Sequence, residues 1–311
     1  SLHRRHWPRL HNGHDPPGGG IMSRLSKAQT KLHNQAMELI NDSRQLTSEE
    51  IDFCYLHYNE GASHDQNNGA AFFTPVEMAR DMGLETIRGG ELVDLCAGTG
   101  RLAYYCTRRD WHPDHRPRFI RIVCIEQNPE FVRIGKRLFP EAQWICGDVT
   151  DPALLQRIGK FDQAISNPPF GKVTGQGKAL RYHGRYMELR VLDIMATIAP
   201  TGWAIVPGMT APFNSNDRRA YVCTKRADEF TAATGLGLHR FASLDVEYYQ
   251  DDWNGTAPRL ELVEFDPENY DETAVTVQQS CKQSRPIARQ EAAPIIPAII
   301  PQPAAAQLAL F

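Results

Sequence analysis

The chain has 311 residues and a formal net charge of −3 at pH 7, with 41% hydrophobic and 23% charged residues. This composition is ordinary for a soluble globular protein, and the length suffices for one large domain with a full core. No segment approaches the roughly 18 uninterrupted apolar residues of a membrane helix, and the charge excludes a uniformly basic nucleic-acid binder while allowing local basic patches. The expected location is the cytoplasm, in a bacterium or in the host of a phage or mobile element, with no membrane partner.

The seven cysteines are scattered along the chain, and none forms a C-x-x-C pair. An odd, unpaired set of this kind is typical of buried reduced thiols. The pattern therefore predicts no disulfide framework and no metal site.

Helices are predicted in the N-terminal part of the chain. Residues 1–21 are rich in His, Arg, Gly and Pro without an apolar period, so we expect them to be disordered or a vector-derived remnant. Residues 22–70 are predicted to form a helical region. One helix follows from the apolar spacing after Ser23, and a second begins at Thr47, where Glu50 completes a capping box. Residues 61–71 have a loop composition.

A third helix is predicted next to the motif Phe72-Phe73-Thr74-Pro75. Thr74 would be its N-cap, with Pro75 at the first helical position and Glu77 closing a capping box. Gly83 would lie just past the end of this helix.

Residues 71–270 are predicted to form one α/β domain, Rossmann-like, with a seven-stranded, mostly parallel sheet and helices on both faces. Short apolar runs alternate with helical segments, which is typical of a parallel sheet. Two further strands, at residues 239–249 and 259–265, would form an antiparallel hairpin at the sheet edge. The five apolar runs of the parallel part are residues 91–95, 120–125, 143–146, 163–166 and 203–206.

A glycine-rich loop follows the first of these strands. In the sequence Val-Asp-Leu-Cys-Ala-Gly-Thr-Gly, the small residues Ala97, Gly98 and Gly100 let a ligand approach the backbone. In sheets of this kind, ligands bind beyond the carboxyl ends of the strands. The loop contains neither the G-x-G-x-x-G pattern of dinucleotide sites nor the Gly-Lys-Ser/Thr ending of a phosphate loop.

Acidic residues follow successive strands. Glu126 closes the second run and is placed to accept both ribose hydroxyls of a nucleoside, while Asp148 closes the third and can accept from an adenine amino group. Asp94 could meet the ammonium of an amino-acid moiety. This set suits a cationic nucleoside–amino acid better than a pyrophosphate.

The tetrapeptide Asn167-Pro168-Pro169-Phe170 follows the fourth strand. Two prolines restrict the backbone, so the Asn167 side-chain oxygen and the Pro168 carbonyl can both accept hydrogen bonds from one exocyclic NH2 group. These bonds direct the nitrogen lone pair at a methyl donor, which is catalysis by positioning and electrostatics. Phe170 offers a ring for stacking a planar substrate, as in enzymes that flip a base out of a duplex. The alternative is a simple strand-terminating turn.

These motifs resemble class I S-adenosylmethionine-dependent methyltransferases, specifically the N6-adenine DNA methyltransferase group. The glycine loop is similar to their first cofactor motif, residues 167–170 to their D/N-P-P-Y/F/W motif, and residues 72–75 to the F-T-P motif of type I modification subunits. The resemblance covers about residues 70–265. It implies S-adenosylmethionine as the cofactor, with Phe73, Thr74 and Asn167 also lining its pocket, and adenine N6 in DNA as the acceptor. The sequence after residue 265 predicts only a linker where many relatives carry a DNA-recognition domain.

Basic residues follow the tetrapeptide. Lys172, Lys178, Arg181 and Arg185 lie in the glycine-rich segment 171–190 and are predicted to contact DNA phosphates. A second cluster, around residues 218–226, and the turn residues Trp253 and Asn254 are further candidates for substrate contact. The alternative for the charged residues is ordinary solvated surface.

The chain ends in Gln307, Leu308, Ala309, Leu310 and Phe311 after a Pro/Ala-rich linker, residues 271–306. This pentapeptide resembles the Q-L-x-L-F motif through which bacterial replication and repair proteins bind the sliding DNA clamp. Gln307 can hydrogen-bond at a pocket rim while Leu308, Leu310 and Phe311 fill an apolar groove, with the linker acting as a tether. The alternative is a tail that folds back onto its own domain.

Three classes of function follow from the sequence. The first is a DNA adenine N6-methyltransferase recruited by the clamp. The second is the same chemistry on another acceptor: guanine N2 or adenine N6 in RNA, or a glutamine side-chain amide. The third is a non-catalytic, clamp-associated adaptor. The sequence leaves open the recognition sequence, the preference for single- or double-stranded DNA, the oligomeric state and the biological role, whether restriction protection, defence or replication-linked marking.

Overall fold

A computed structural model describes residues 25–59, 73–86, 89–108, 119–172, 181–211, 224–240, 244, 246–253 and 259–265. Their centre is a seven-stranded sheet with the strand order β3-β2-β1-β4-β5-β7-β6. The first five strands pair in parallel, whereas β7 pairs antiparallel to both β5 and β6. The predicted α/β, mostly parallel sheet is therefore confirmed. The strands are β1 Gly90–Leu95, β2 Phe119–Glu126, β3 Gln143–Cys146, β4 Gln163–Ser166, β5 Thr201–Pro207, β6 His239–Arg240 and β7 Leu260–Phe265.

The sheet is covered on both faces, and its central strands place apolar residues on both. Neighbouring residues of β1, Leu92 and Val93, belong to two different apolar clusters, as do Ala204 and Ile205 of β5. Side chains of adjacent strand residues point to opposite faces. The helices on the first face are α1 Lys27–Asn41, α2 Ser48–His57, α3 Val76–Thr86, α4 Arg101–Thr107 and α5 Pro129–Leu138; those on the second are α6 Pro152–Ile158, α7 Met187–Ile198 and α8 Lys225–Thr234.

The two N-terminal helices are capped by local hydrogen bonds. The predicted Thr47–Glu50 capping box is present at the start of α2, and Ser26 with Gln29 forms a second one at the start of α1. Each box satisfies backbone N–H groups that have no partner inside the helix. Within the described residues, no helix is long and apolar enough to cross a membrane.

Helix α3 departs from the prediction at both ends. It begins at Val76, one residue later than expected, with the Pro75 carbonyl accepting from the Ala79 N–H at 3.0 Å. Gly83 lies inside the helix rather than past its end. A Cβ there would come within 2.6 Å of the Cys106 carbonyl oxygen of α4. The glycine therefore permits close packing of α3 on α4, which local sequence cannot distinguish from a helix stop.

The strand predicted at residues 239–249 is wrong in its second half. Among the described residues of this range, His239–Arg240 forms a strand, whereas Val246–Asp252 is a 3₁₀ helix. Val246 and Tyr249 are both buried, three residues apart, which matches the three-residue turn of this helix. The Tyr249 hydroxyl also donates to Asp81 on α3. Tertiary packing thus overrides the strand preference of the Val and Tyr residues.

Candidate functional site

The glycine loop, residues 96–100, makes a tight turn between β1 and α4. Its backbone φ is positive at Cys96 (62°), Gly98 (56°) and Gly100 (83°), and the Gly100 N–H donates to the Ala97 carbonyl at 2.8 Å. The Ala97 N–H donates to Ile125 of β2 at 3.0 Å, which ties the loop to the neighbouring strand. The loop is therefore a fixed turn at the carboxyl edge of the sheet, as expected from its sequence.

Two aromatic rings press against this loop. A Cβ on Gly98 would lie 2.5 Å from the Phe73 ring, and a Cβ on Gly100 would lie 2.7 Å from the Trp144 ring. The glycines thus serve two purposes: they adopt positive φ, and they leave room for the rings. Phe73, predicted at the cofactor pocket from the F-T-P motif, does lie against the loop. Phe72 of the same motif is outside the described residues.

The N-terminal helices also support the loop. The Tyr55 hydroxyl of α2 donates to the Thr99 carbonyl at 3.2 Å, and Arg101 of α4 donates to the Tyr58 carbonyl at 3.4 Å. The Arg101 guanidinium lies 5.2 Å above the Phe73 ring. Sequence reasoning missed Tyr55, Tyr58 and Arg101, since their partners are 25 residues or more away and no local pattern marks them.

Glu126, at the end of β2, is bound to the glycine loop. One carboxylate oxygen accepts from the Gly98 N–H at 2.9 Å, and the other accepts from the Asn128 N–H at 2.8 Å. Burial raises the pKa of Glu126, while hydrogen bonds from Asn128, Gly98 and Gln127 lower it. These contacts fix a carboxylate beside the loop, at the position expected for a group that accepts ribose hydroxyls.

Asp148 follows β3 and is exposed. One of its oxygens accepts from the backbone N–H and the hydroxyl of Thr150, each at 2.8 Å, which orders the turn. Cys96 is the first residue of the loop. Burial raises the pKa of its thiol, and the charges of Glu126, Asp94 and Asp148 raise it further. The three predicted carboxylates therefore contribute negative charge to the same end of the loop.

Asp94, the third acid of the predicted set, is fully buried. Both of its carboxylate oxygens are covered and lack a hydrogen-bond partner of normal geometry among the described residues. Burial raises the pKa of its carboxyl group well above the usual range, the nearby Ala103 N–H of α4 lowers it, and the Glu126 charge raises it. The contact of Asp94 with the ammonium of an amino-acid moiety stays a prediction.

The tetrapeptide is joined to the F-T-P motif. Asn167 donates from its side-chain nitrogen to the Thr74 hydroxyl at 3.1 Å, across 93 positions of sequence. Thr74, which was predicted to be the N-cap of α3, is buried. Its hydroxyl accepts this bond from Asn167. The bond fixes the orientation of the Asn167 amide, with its nitrogen toward Thr74.

The remaining residues of the tetrapeptide differ in exposure. Pro168 is buried and Pro169 is exposed. Phe170 is half-buried and packs against the apolar cluster on the first face of the sheet, here called the first apolar cluster. Phe170 thus has one part of its ring fixed by the core and another part open. This is the arrangement that a stacking platform requires.

The predicted phosphate-contacting residues fall into three groups. Lys172 and Arg185 are exposed beside the tetrapeptide. Arg181 instead binds the fully buried Asp193, with its Nε and Nη2 each 2.8 Å from one carboxylate oxygen, and donates to the Thr234 carbonyl at 3.2 Å. This ion pair gives Arg181 a structural role. Lys178 lies outside the described residues.

The second basic cluster is likewise only partly described. Lys225 is exposed, whereas Arg226 lies 4.3 Å above the Tyr186 ring and donates to the Met209 carbonyl at 3.2 Å. Residues 218 and 219 lie outside the described part of the chain. Trp253 is buried in the first apolar cluster, so its predicted exposure to substrate is wrong, and Asn254 is outside the described residues.

The predictions on the C-terminal tail and on metal binding remain to be placed. The tail residues Gln307, Leu308, Leu310 and Phe311 and the linker before them lie outside the described residues. Among the residues that are described, no group of His, Cys, Asp and Glu is arranged to hold a metal ion.

Comparisons with known proteins identify relatives of part of the chain. No family model matches it. The chain is 31% identical over 118 residues to a release factor glutamine methyltransferase of Corynebacterium glutamicum and 34% identical over 87 residues to one of Mycolicibacterium smegmatis. These matches cover 34% and 27% of this chain. They span only 40% and 28% of the relatives' own lengths.

Solved structures give weak similarity over a longer part of the chain. A candidate class I S-adenosylmethionine-dependent methyltransferase of Listeria monocytogenes has a TM-score of 0.47 at 10% identity, covering 79% of this chain and 80% of its own. The modification subunit of a candidate type I restriction enzyme of Vibrio vulnificus has a TM-score of 0.46 at 14% identity, covering 72% and 50%. The fold is therefore defined by the strand order and pairing of the sheet.

Proposed function

We propose that the protein is an S-adenosylmethionine-dependent methyltransferase that modifies an exocyclic NH2 group on a planar substrate. The hydrogen bond between Asn167 and Thr74 carries this proposal. It fixes the Asn167 side chain at the carboxyl end of β4, next to the glycine loop after β1. Neighbouring parallel strands bring their carboxyl ends to one edge of the sheet, where ligands bind.

The residues around the glycine loop fit this cofactor. Glu126 and Asp148 supply carboxylates for hydroxyl and amino donors, and the glycine loop offers a close backbone approach. A site whose acceptors are carboxylates suits a sulfonium cation and would repel a pyrophosphate. When bound, the cofactor supplies an electrophilic methyl group. The protein's own contribution is to fix the acceptor nitrogen through Asn167 and Pro168 and to stack the acceptor on Phe170.

Adenine N6 in DNA is the acceptor that we propose first. The contact between the F-T-P and N-P-P-F motifs supports it, since both motifs resemble the adenine-specific DNA group. The exposed Lys172 and Arg185 beside the tetrapeptide add positive charge where a phosphate backbone would run.

A glutamine side-chain amide is the second candidate. The two release factor glutamine methyltransferases that match part of the chain favour it. A carboxamide is planar and presents an NH2 group like that of adenine, so the same tetrapeptide serves both acceptors. The exposed cations beside the site favour DNA over this second candidate, because a peptide acceptor does not need them.

Methyl transfer from labelled cofactor to DNA, RNA and release factor, with each product hydrolysed and the modified residue identified, tests the acceptor. We expect N6-methyladenine in DNA. Asn167→Ala should lower the rate by about 10²–10³, as removal of a single oriented catalytic hydrogen bond does, while the cofactor Kd stays close to that of the wild type.

Asn34→Ala, at an exposed position of α1, is the matched control. Near-normal turnover in Asn167→Ala would refute the role of Asn167. Methylglutamine as the sole product would replace DNA with the protein acceptor.

We also propose that the C-terminal pentapeptide recruits the enzyme to a bacterial sliding clamp. Its resemblance to Q-L-x-L-F and the Pro/Ala-rich linker before it support this partner. Deleting residues 307–311 should abolish clamp binding in a surface plasmon resonance assay and leave methylation of short oligonucleotides unchanged. A truncated chain that binds the clamp as well as the full chain does would remove the proposal.

A further inference from the structure

The turn after the N-P-P-F tetrapeptide is held by a buried carboxylate. Glu188, in the first turn of α7, has no solvent exposure, and one of its oxygens accepts from the Gly171 N–H at 2.9 Å. Gly171 directly follows Phe170. Burying a carboxylate is unfavourable unless polar partners compensate. The bond to Gly171 is such a partner, and it lies one residue from the tetrapeptide.

Both backbone polar groups of Gly171 are bonded to the start of α7. Its carbonyl accepts from the Met187 N–H at 3.0 Å, and its N–H donates to the Glu188 side chain. Its φ of +103° is one that L-residues with side chains rarely adopt. Lys172 forms a β-bridge with Tyr186. The position of Gly171, and with it the chain that leaves Phe170, is therefore set by α7.

The same carboxylate lies at the carboxyl edge of the sheet. Burial raises the pKa of its carboxyl group, and its own N–H, the Gly171 N–H and the Arg226 charge lower it. The hydroxyl of Thr210, in the turn after β5, donates to the Pro207 carbonyl at 2.9 Å rather than to Glu188. Glu188 therefore joins the start of α7 to the segment after β4.

We propose that Glu188 is a positioning residue for methyl transfer: through Gly171 it holds Phe170 and Asn167 in the geometry that the acceptor needs. It does not touch the substrate. This inference rests on the proposed methyltransferase function. A misplacement of about 1 Å in such a site can lower the rate by about 10², so loss of the Glu188–Gly171 bond should be visible in kcat.

The test compares Glu188→Ala with Glu188→Gln in the full chain. Alanine removes the acceptor for the Gly171 N–H, whereas the glutamine amide oxygen can still accept from it. We expect Glu188→Ala to lower kcat by about 10–100-fold, with the Kd for S-adenosylmethionine within about twofold of the wild type. Glu188→Gln should recover most of the lost rate. Ile194→Val, which removes one methyl group from the buried face of the same helix, controls for general destabilisation and should lower Tm without changing kcat.

A second readout does not depend on turnover. Hydrogen exchange of the Gly171 amide, followed by NMR, should be at least about tenfold faster in Glu188→Ala than in Glu188→Gln, because the amide loses its acceptor. Unchanged exchange in Glu188→Ala, or faster exchange with unchanged kcat, would overturn the inference. A failure of the wild type to methylate any acceptor would instead refute the proposed function, and the exchange data would still decide whether Glu188 holds Gly171.

Discussion

Two independent costs meet at Gly100 of the glycine loop. Its φ of 83° and ψ of 12° are left-handed, which costs a non-glycine residue about 1–2 kcal/mol. A Cβ would also lie 2.7 Å from the Trp144 ring, and overpacking of this kind costs about 1–3 kcal/mol. Gly100→Ala should therefore lower the free energy of unfolding by about 2–5 kcal/mol.

Gly235→Ala separates the two costs. Gly235 has nearly the same backbone conformation, φ 73° and ψ 3°, but nothing lies within 4 Å of a Cβ there. Its substitution should cost only the backbone part, about 1–2 kcal/mol. The difference between the two variants then measures the contact with Trp144.

Urea unfolding of both variants, followed by tryptophan fluorescence and circular dichroism, gives these free energies. The companion variant Trp144→Leu removes the ring, so adding Gly100→Ala to it should cost about as little as Gly235→Ala does. Equal destabilisation by Gly100→Ala and Gly235→Ala would show that the Trp144 ring does not exclude a Cβ at position 100.

Two further predictions concern the N-terminal helices. Tyr55→Phe removes the bond to Thr99 and should weaken binding of S-adenosylmethionine several-fold in calorimetry, a loss of about 1 kcal/mol; Tyr105→Phe, which removes a 2.7 Å bond between α4 and Asp52 away from the loop, should not. Equal affinities in the two variants would contradict the role of Tyr55. The second prediction is pH-dependent. Burial lowers the pKa of His33, whose Nδ1 accepts from the Asn59 N–H at 3.1 Å. A lowered folded-state pKa means that the unfolded chain binds more protons, so this contribution is present above pH 6.5 and is lost as the pH falls below it. The urea midpoint should therefore fall less between pH 7.5 and 5.5 in His33→Gln than in the wild type; parallel decreases would exclude His33 as the cause.

The sequence by itself predicted the parallel sheet because strand and turn signals are local. Continuous apolar runs located β3 and β4 to the residue, and the small residues after β1 indicated the loop between that strand and the next helix. The tetrapeptide was recognisable for the same reason: two prolines after a strand leave few backbone conformations. The Thr47–Glu50 capping box is likewise a signal that spans only four residues.

Tertiary structure alone decided how these parts meet. The bond between Asn167 and Thr74 and the support of Thr99 by Tyr55 join residues that no short pattern connects. Arg181 shows the same limit, since only the fold places a buried Asp193 beside it. Local periodicity determines which elements form, because each residue there acts on neighbours within a turn or two. The side chains that complete the site are chosen by packing between distant elements, which the sequence does not display.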